Sequence, residues 1–144
     1  MILLDTNVLI YGFDPDSPLH SWARGIIRSS LLGDGAAITP VILAEYLVGE
    51  EVRETVIPRL SALGIALLDL PALVAPRCAE AYARYLENRR DQASPPAPKS
   101  PLPDFFIGAH AAVLSLPLAT ADADRYQTYF PEIELITPDS TRRS

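Results

Sequence analysis

Five short apolar runs recur along the chain, and they constrain its fold more than any other feature. Most are apolar throughout instead of alternating with polar residues, which is typical of strands in a parallel sheet covered on both faces. We therefore expect a central parallel sheet of about five strands. The runs are Ile2-Leu3-Leu4, Ala36-Ala37-Ile38, Ile65-Ala66-Leu67-Leu68, Leu118-Ala119-Thr120 and Ile133-Glu134-Leu135-Ile136.

Helical patterns fill the intervals between these runs. Apolar residues recur at three-to-four spacing from Leu19 to Leu31, which predicts one amphipathic helix. Thr39-Pro40 predicts the start of another, since threonine caps helices and proline is tolerated at the first helical position. Alternation of strands and helices with short links predicts a three-layer α/β domain. Further helices are expected over residues 51–63 with a kink at Pro58, 71–88 and 104–114.

The size and charge of the chain narrow the possible functions. Its 144 residues fit one domain, so we assign residues 1–144 to a single unit. The one cysteine, Cys78, excludes an internal disulfide and a cysteine-based zinc cluster. A net charge of −6 argues against gripping nucleic acid through overall electrostatics, but it allows an enzyme whose carboxylates are gathered at a metal site.

The sequence carries no segment that directs it to a membrane. The apolar stretch 1–10 has no basic leader and contains Asp5, while the uncharged stretch 105–121 is short for a membrane span. We expect a cytoplasmic protein with no membrane contact, and the cysteine usage agrees with a reducing compartment. The proline-rich run 94–103 predicts an exposed, stiff loop, because proline neither continues a helix nor donates to a sheet.

Three aspartates are expected at the same edge of the sheet. Asp5 directly follows the first strand, and Asp122 lies two residues beyond the strand that ends at Thr120. Asp104 begins the helix that leads into that strand, and a helix antiparallel to the strand it feeds begins at the carboxyl edge. Ligands of open parallel sheets bind at this edge. Taken alone, Asp104 is explained as well by a favourable charge at a helix start.

Glu45 is the fourth candidate. It lies among apolar residues about a turn and a half into its helix, so it either reaches solvent or is held in a cleft by a cation. Four carboxylates at one edge repel one another, and a hard divalent cation such as Mg²⁺ or Mn²⁺ removes this cost. With a substrate phosphate added, such a site is typical of metal-assisted phosphodiester hydrolysis.

The ordered set of motifs resembles that of PIN-domain proteins, most closely the VapC-type toxin ribonucleases. The resemblance spans essentially the whole chain, and its specificity lies in the order of the motifs and in no single one. The matching segments are Leu4-Asp5-Thr6-Asn7, Ala44-Glu45, Pro103-Asp104-Phe105-Phe106-Ile107-Gly108-Ala109-His110-Ala111, Thr120-Ala121-Asp122 and Tyr126-Gln127-Thr128-Tyr129-Phe130-Pro131.

The resemblance implies a Rossmann-like sheet, a Mg²⁺ or Mn²⁺ site and endonucleolytic cleavage of RNA to 5′-phosphate and 3′-hydroxyl products. It also implies an antitoxin partner, a homodimer, and support of metal or substrate by the hydroxyls of Thr6 and Thr120. Asn7 is expected to shape the turn after the first strand. The catalytic and metal-binding residues that match by position are Asp5, Glu45, Asp104 and Asp122.

Several assignments stay open at this level. Asp124 competes with Asp122 as the fourth carboxylate, although spacing and the strand end favour Asp122. Arg125 is the best single candidate for contact with an RNA phosphate, and Arg24 and Arg28 are further candidates. The length of the proline-rich loop leaves substrate access and partner docking undefined.

Two other functions are compatible with the same residues. The chain is alternatively a non-catalytic PIN-fold module that binds a protein, or a metal-dependent nuclease that acts on DNA. His110 is six positions after Asp104 and therefore points away from that carboxylate, so we expect a buried, hydrogen-bonded core residue and no catalytic base. The preferred hypothesis is a metal-dependent endoribonuclease that acts as the toxin of a toxin–antitoxin pair.

Overall fold

The five apolar runs form the five strands of one sheet. The computed structural model describes residues 1–90 and 101–139, and each neighbouring pair of strands in it is parallel. The predicted α/β class and the parallel sheet are thereby confirmed. The strands are β1 (Ile2–Leu4), β2 (Ala36–Ile38), β3 (Ala66–Leu67), β4 (Leu118–Ala119) and β5 (Leu135–Ile136).

The chain enters this sheet at its centre and changes direction there. The strand order is β3-β2-β1-β4-β5, so the path runs outward from β1 to β3 and then returns to the other side of β1. Ligands of such sheets bind at the carboxyl ends of the strands that flank this reversal. Leu4 pairs with Ala119 in register, so the next residues of the two strands, Asp5 and Thr120, lie side by side.

Helices cover both faces of the sheet. The connections from β1 to β3 run in the opposite direction to those from β3 to β5, so right-handed crossovers put the helices of the two halves on opposite faces. The three layers predicted from the sequence result from this arrangement. The helices are α1 (Thr6–Gly12), α2 (His20–Leu32), α3 (Pro40–Val48), α4 (Val56–Leu63), α5 (Val74–Arg90), α6 (Pro103–Leu114) and α7 (Asp124–Tyr129).

The core extends through all three layers. The central strand side chains Leu3 and Leu4 are fully buried, and Cys78 of α5 is buried as its helical stripe predicts. On the α5–α7 face, Phe105 packs against the rings of Tyr82, Tyr85, Tyr129 and Phe130. This aromatic cluster fixes the start of α6, the helix that carries Asp104.

Two short helices, α1 and α7, were not predicted from the sequence. α1 begins directly after β1, and the apolar residues on either side of Asp5, Thr6 and Asn7 are too few to show the change of period from strand to helix. Asp5 is the N-cap of α1, and its side chain accepts a hydrogen bond from the N–H of Thr6. α7 has six residues, too few for a helical period to be recognised.

Other boundaries differ in detail. The kink expected at Pro58 is wrong, because α4 begins at Val56 and its first turn has no intrahelical N–H bond for proline to remove. A 3-10 helix, Arg53–Thr55, precedes α4. The loop predicted over 94–103 falls largely outside the described residues, and Pro103 begins α6. None of the helices described in residues 1–90 and 101–139 is long and apolar enough to cross a bilayer.

Candidate functional site

Four carboxylates from separate parts of the chain line one cavity at the reversal between β1 and β4. We call this cavity, with a volume of about 250 Å³, the acidic pocket. Asp5 follows β1, Glu45 belongs to α3, Asp104 to α6, and Asp122 follows β4. The structure thus brings together the four residues expected to form the acidic quartet. The rest of the lining is Thr6, Asn7, Ile10 and Tyr126.

Asp5 is the most buried of the four, with 5% of its surface exposed. Its Oδ1 accepts the N–H of Thr6 at 2.8 Å, and its Oδ2 accepts the hydroxyls of Thr120 at 2.8 Å and Tyr126 at 3.1 Å. Burial raises the pKa of Asp5 to about 6, the negative charge of Asp104 adds to this shift, and the three hydrogen bonds oppose it. Asp5 and Asp104 are therefore electrostatically coupled.

Thr120 and Asn7 join the ends of β1 and β4. The fully buried hydroxyl of Thr120 donates to Asp5 and accepts the N–H of Asp122 at 3.1 Å and the Asn7 side-chain amide at 3.3 Å. The carbonyl oxygen of the Asn7 side chain accepts the N–H of Ala121 at 3.0 Å. Asn7 was expected to shape a turn; instead it lies in α1 and bridges to the segment after β4.

Glu45 is held at the acidic pocket by a neighbour of Asp5. The hydroxyl of Thr6 donates to Glu45 Oε1 at 2.8 Å, and the Glu45 side chain is half-buried. Glu45 therefore lies in a cleft and does not extend into solvent, which were the two environments expected from the sequence. Thr6 and Asp5 are consecutive, so the hydrogen bond from Thr6 sets Glu45 beside the most buried carboxylate.

Asp104 forms an ion pair with Arg125. Arg125 donates from Nη1 to Asp104 Oδ2 at 3.1 Å, and the two side chains are 34% and 36% exposed. Burial raises the pKa of Asp104; the cation of Arg125 opposes the shift, and the negative charge of Asp122 adds to it. The carboxylates at positions 5, 104 and 122 thus act on one another in sequence across the pocket.

Tyr126 was missed by the sequence reasoning. It is 1% exposed, and burial together with the charges of Asp5 and Asp104 raises the pKa of its hydroxyl, so it stays protonated and donates. A hydrogen-bond interaction with Tyr126 also lowers the pKa of Asp104. The available signal was its place in the matching segment Tyr126-Gln127-Thr128-Tyr129-Phe130-Pro131, but that segment does not show that Tyr126 reaches Asp5.

Asp124 does not line the acidic pocket. It lines a neighbouring cavity of about 810 Å³ that also borders Asp122 and Asp139. Asp122 is the residue common to both cavities. The geometry therefore favours Asp122 over Asp124 as the fourth carboxylate, as the spacing of the sequence does.

The two arginines of α2 lie elsewhere. Arg24 and Arg28 are exposed beside a largely apolar groove of about 590 Å³ that includes Ile27 and Leu31. This groove shares no lining residue with the acidic pocket. Any contact of Arg24 or Arg28 with a substrate would therefore be made away from the carboxylates.

His110 is fully buried in α6, as expected, but the expected hydrogen bond is wrong. Neither ring nitrogen has a hydrogen-bond partner in the part of the chain that the structure describes. Burial lowers the pKa of His110, so the ring is neutral at pH 7. It does not line the acidic pocket.

The acidic pocket has the ligand chemistry for a hard divalent cation without a preformed coordination shell. Among residues 1–90 and 101–139, no three Asp, Glu, His or Cys side chains are grouped closely enough to hold one ion. The carboxylates at positions 5, 45 and 104 instead receive hydrogen bonds from protein donors. Carboxylate oxygens are the ligands that Mg²⁺ and Mn²⁺ prefer, and a cation would offset the negative charge that Asp104 exerts on Asp5.

A parallel sheet covered on both faces, with carboxylates at the reversal of strand order, defines a Rossmann-like α/β protein with a polar site at its strand ends. The chain belongs to the PIN-domain family, whose model matches residues 2–131. The resemblance identified from the ordered motifs is thereby confirmed. No curated protein sequence matches the chain significantly.

Several solved structures share this fold at low sequence identity. FitAcB from Neisseria gonorrhoeae has 21% identity and a TM-score of 0.66, over 96% of this chain and 98% of that chain. VapBC2 from Rickettsia felis, bound to a promoter DNA fragment, has 20% identity and a TM-score of 0.62, over 95% of this chain and 98% of that chain. VapC20 from Mycobacterium tuberculosis is described as a toxin that cleaves the sarcin–ricin loop. It has 13% identity and a TM-score of 0.64, over 92% of this chain and 98% of that chain.

Proposed function

We propose that this chain is a divalent-metal-dependent endoribonuclease and the toxin of a toxin–antitoxin pair that acts in the cytoplasm. The observation that carries the proposal is the acidic pocket itself. Its four carboxylates are separated by long stretches of sequence, yet they meet at the point of the sheet where ligands bind. Grouping four negative charges without a cation is costly, and the charge of Asp104 adds to the rise in the pKa of Asp5 that burial causes.

In the proposed reaction, Asp5, Glu45 and Asp104 would hold Mg²⁺ or Mn²⁺ with help from Asp122. A divalent ion bound there supplies Lewis-acid activation of water and neutralises charge on the scissile phosphate. Thr120 and Tyr126 keep Asp5 oriented by donating to Oδ2, and Thr6 orients Glu45. Water would attack the scissile phosphorus on the side opposite the 3′ oxygen, and the P–O3′ bond would break. The products would carry a 5′-phosphate and a 3′-hydroxyl.

Family membership and the fold shared with the solved structures support the biological role. One structure from Klebsiella pneumoniae is described as a toxin–antitoxin complex, and VapC20 is described as a toxin that cleaves the sarcin–ricin loop. We extend three properties to this chain: an antitoxin partner, homodimerisation and RNA as substrate. A partner that inserts an arginine into the acidic pocket would inhibit the enzyme by pairing with its carboxylates.

Cleavage assays with labelled RNA and labelled DNA test the activity. We expect the wild-type protein to cut RNA in Mg²⁺ or Mn²⁺ and to lose this activity in excess chelator. Asp5→Asn and Asp104→Asn should each reduce the rate at least about 100-fold, because each removes a charge from the metal site. Mass spectrometry of the products should find 5′-phosphate ends.

Asp34→Asn is the matched control. Asp34 is exposed and precedes β2, so it lies at the opposite edge of the sheet from the acidic pocket. The same Asp-to-Asn change there should leave the rate within about twofold of wild type. Cleavage that persists in chelator, or an equal loss of cleavage rate in Asp34→Asn and Asp104→Asn, would contradict the metal mechanism. Cleavage of DNA but not of RNA would show that the substrate is DNA.

A non-catalytic binding module is the second candidate function. It is favoured by one observation among the described residues, the engagement of pocket carboxylates by protein donors such as Arg125 on Asp104. Calorimetric titration with Mn²⁺ separates the two functions: an enzyme binds the ion through Asp5 and Asp104, so both Asn variants lose the heat of binding. A module binds no ion in wild type or variants.

The partner and the oligomer have their own test. Co-purification with the product of the gene immediately upstream should give a stable complex if that product is the antitoxin. Light scattering should return the mass of a dimer for the chain alone. A monomeric mass would remove the homodimer from the proposal and leave the nuclease activity untouched.

A further inference from the structure

Two arginines share one tyrosine ring beside the acidic pocket. The guanidinium of Arg125 lies 5.3 Å from the ring centroid of Tyr85, and that of Arg89 lies 5.5 Å from it. Arg89 also donates from Nη1 to the Tyr85 hydroxyl at 2.7 Å. A single side chain of α5 therefore positions two cations, one from its own helix and one from α7.

This pair is connected to the candidate active site. Arg125 donates to Asp104, which lines the acidic pocket, and a second ring, that of Phe105, lies 5.5 Å from its guanidinium. The contacts thus run from Asp104 through Arg125 and Tyr85 to Arg89. Arg125 keeps 34% of its side chain exposed, so it can meet a ligand while it stays on the rings.

Other arginines with an aromatic contact are engaged elsewhere. Arg59 lies over Phe13 and pairs with Glu50, and Arg77 lies over the Phe130 ring and pairs with Glu132. None of the residues in these two pairs lines the acidic pocket.

We infer that Arg89 and Arg125, held by Tyr85, are the binding site for backbone phosphates of the RNA strand next to the cleavage point. The inference rests on the proposed function and specifies where its substrate binds. It adds Arg89 as a phosphate-binding residue and Tyr85 as a positioning residue.

The net negative charge of the protein favours a local cationic site of this kind. With a net charge of −6 and four carboxylates in the pocket, a polyanion is repelled unless cations next to the pocket receive it. Guanidinium groups bind phosphate oxygens through two parallel N–H bonds, and stacking on a ring restricts their motion before the ligand arrives. Arginine together with aromatic side chains is the usual surface for single-stranded nucleic acid.

Binding of a short fluorescein-labelled single-stranded RNA of mixed sequence, measured by anisotropy in chelator, tests the inference without cleavage. Arg89→Gln and Arg125→Gln should each weaken binding roughly fivefold and reduce the slope of log affinity against log salt by about 0.7. Tyr85→Phe keeps the ring under Arg125 and removes the acceptor of Arg89. It should weaken binding in the wild type but have no further effect in Arg89→Gln.

Two controls on the same chain make the result specific. Arg59→Gln removes a ring-stacked, carboxylate-paired arginine away from the pocket and should leave affinity and salt slope unchanged. Arg24→Gln with Arg28→Gln tests the rival surface on α2. A larger loss in the α2 double variant than in Arg89→Gln, or wild-type salt slopes in both Arg89→Gln and Arg125→Gln, would overturn the inference.

Failure of the inference can be told apart from failure of the proposed function. If the wild type cleaves RNA in Mg²⁺ while Arg89→Gln binds and cleaves as wild type does, the nuclease stands and the Tyr85 site is rejected. If the wild type neither binds nor cleaves RNA, both are rejected. Normal thermal unfolding of each variant, measured in parallel, assigns the loss of binding to the removed side chain.

Discussion

The hydroxyl of Thr120 lies 2.8 Å from Asp5 Oδ2, and this hydrogen bond joins the ends of the two strands between which the sheet reverses its order. Thr120 also accepts the N–H of Asp122 and the side-chain amide of Asn7. One fully buried hydroxyl therefore connects the carboxylate of Asp5 to the backbone of Asp122, a second residue of the pocket. The shape of the acidic pocket depends on it.

Replacing Thr120 with valine should destabilise the protein by about 2 kcal/mol, because the isosteric change leaves buried polar partners without a hydrogen bond. The pKa of Asp5 should rise further, since one of the bonds that lowers it is lost. Urea denaturation measures the first effect, and Mn²⁺ affinity at pH 7 the second.

Thr55→Val is the control for this change. Thr55 is exposed, and its hydroxyl donates to the carbonyl of Val52 far from the pocket. The same loss of a hydroxyl should cost less than about 0.5 kcal/mol there. Equal destabilisation by the two valines would show that Thr120 has no special part in the site.

Acidification from pH 8 to pH 5 should favour folding through Asp5. Its pKa is raised from 3.8 to about 6 in the folded protein, so between these values the folded state holds a proton that the unfolded state has released. The full stabilisation is present below pH 3.8 and is lost as the pH rises through about 6. A shift of this size corresponds to about 3 kcal/mol at most.

Denaturation of metal-free wild type and Asp5→Asn at several pH values measures this contribution. The difference between the two proteins isolates Asp5 from His110, whose lowered pKa acts in the opposite direction. Wild type should gain stability relative to Asp5→Asn as the pH falls. If the difference in the free energy of unfolding between the two proteins stays constant from pH 8 to pH 5, the pKa of Asp5 is not raised in the folded protein.

The placement of the aspartates could be predicted because it follows from the ends of regular elements. Asp5 and Asp122 come after apolar runs that are strands in the structure, and the parallel arrangement alone puts them at one edge. Asp104 follows from the direction of the helix that feeds β4. Glu45 could be assigned only by family resemblance, because its position within α3 left two environments open.

The partners of these carboxylates could not be predicted. Tyr126 and Arg125 both reach the pocket from α7, a helix of six residues that has no recognisable period. The hydrogen bond from Thr6 to Glu45 depends on the packing of α1 against α3, and the sequence did not separate α1 from β1. Contacts between elements require the geometry of both, which a local pattern does not contain.

Gly108→Ala should destabilise the fold by about 1–3 kcal/mol through overpacking. A Cβ at this position would clash with the ring of Phe130, a residue that is 1% exposed and has little room to move. Gly108 belongs to α6, so displacement of this helix would also move Asp104 and weaken Mn²⁺ binding. Urea denaturation and calorimetry measure the two effects.

Gly25→Ala is the counterpart with the opposite sign. Gly25 is an exposed residue of α2, and a Cβ there would meet no atom within 4 Å. Alanine should stabilise this helix by up to about 1 kcal/mol. If both alanines changed the free energy of unfolding in the same direction, close packing of α6 against Phe130 would not be the cause.

Asp122→Asn and Asp124→Asn should differ although the two residues are nearly adjacent. Asp122 lines the acidic pocket and its charge raises the pKa of Asp104, whereas Asp124 begins α7 and lines only the neighbouring one of the two cavities. We expect Asp122→Asn to weaken Mn²⁺ binding about tenfold and Asp124→Asn to leave it within about twofold. Calorimetry on both variants measures the difference. A larger loss in Asp124→Asn would mean that the metal is held from the side of the neighbouring cavity, and the quartet would then have to be redrawn around Asp124.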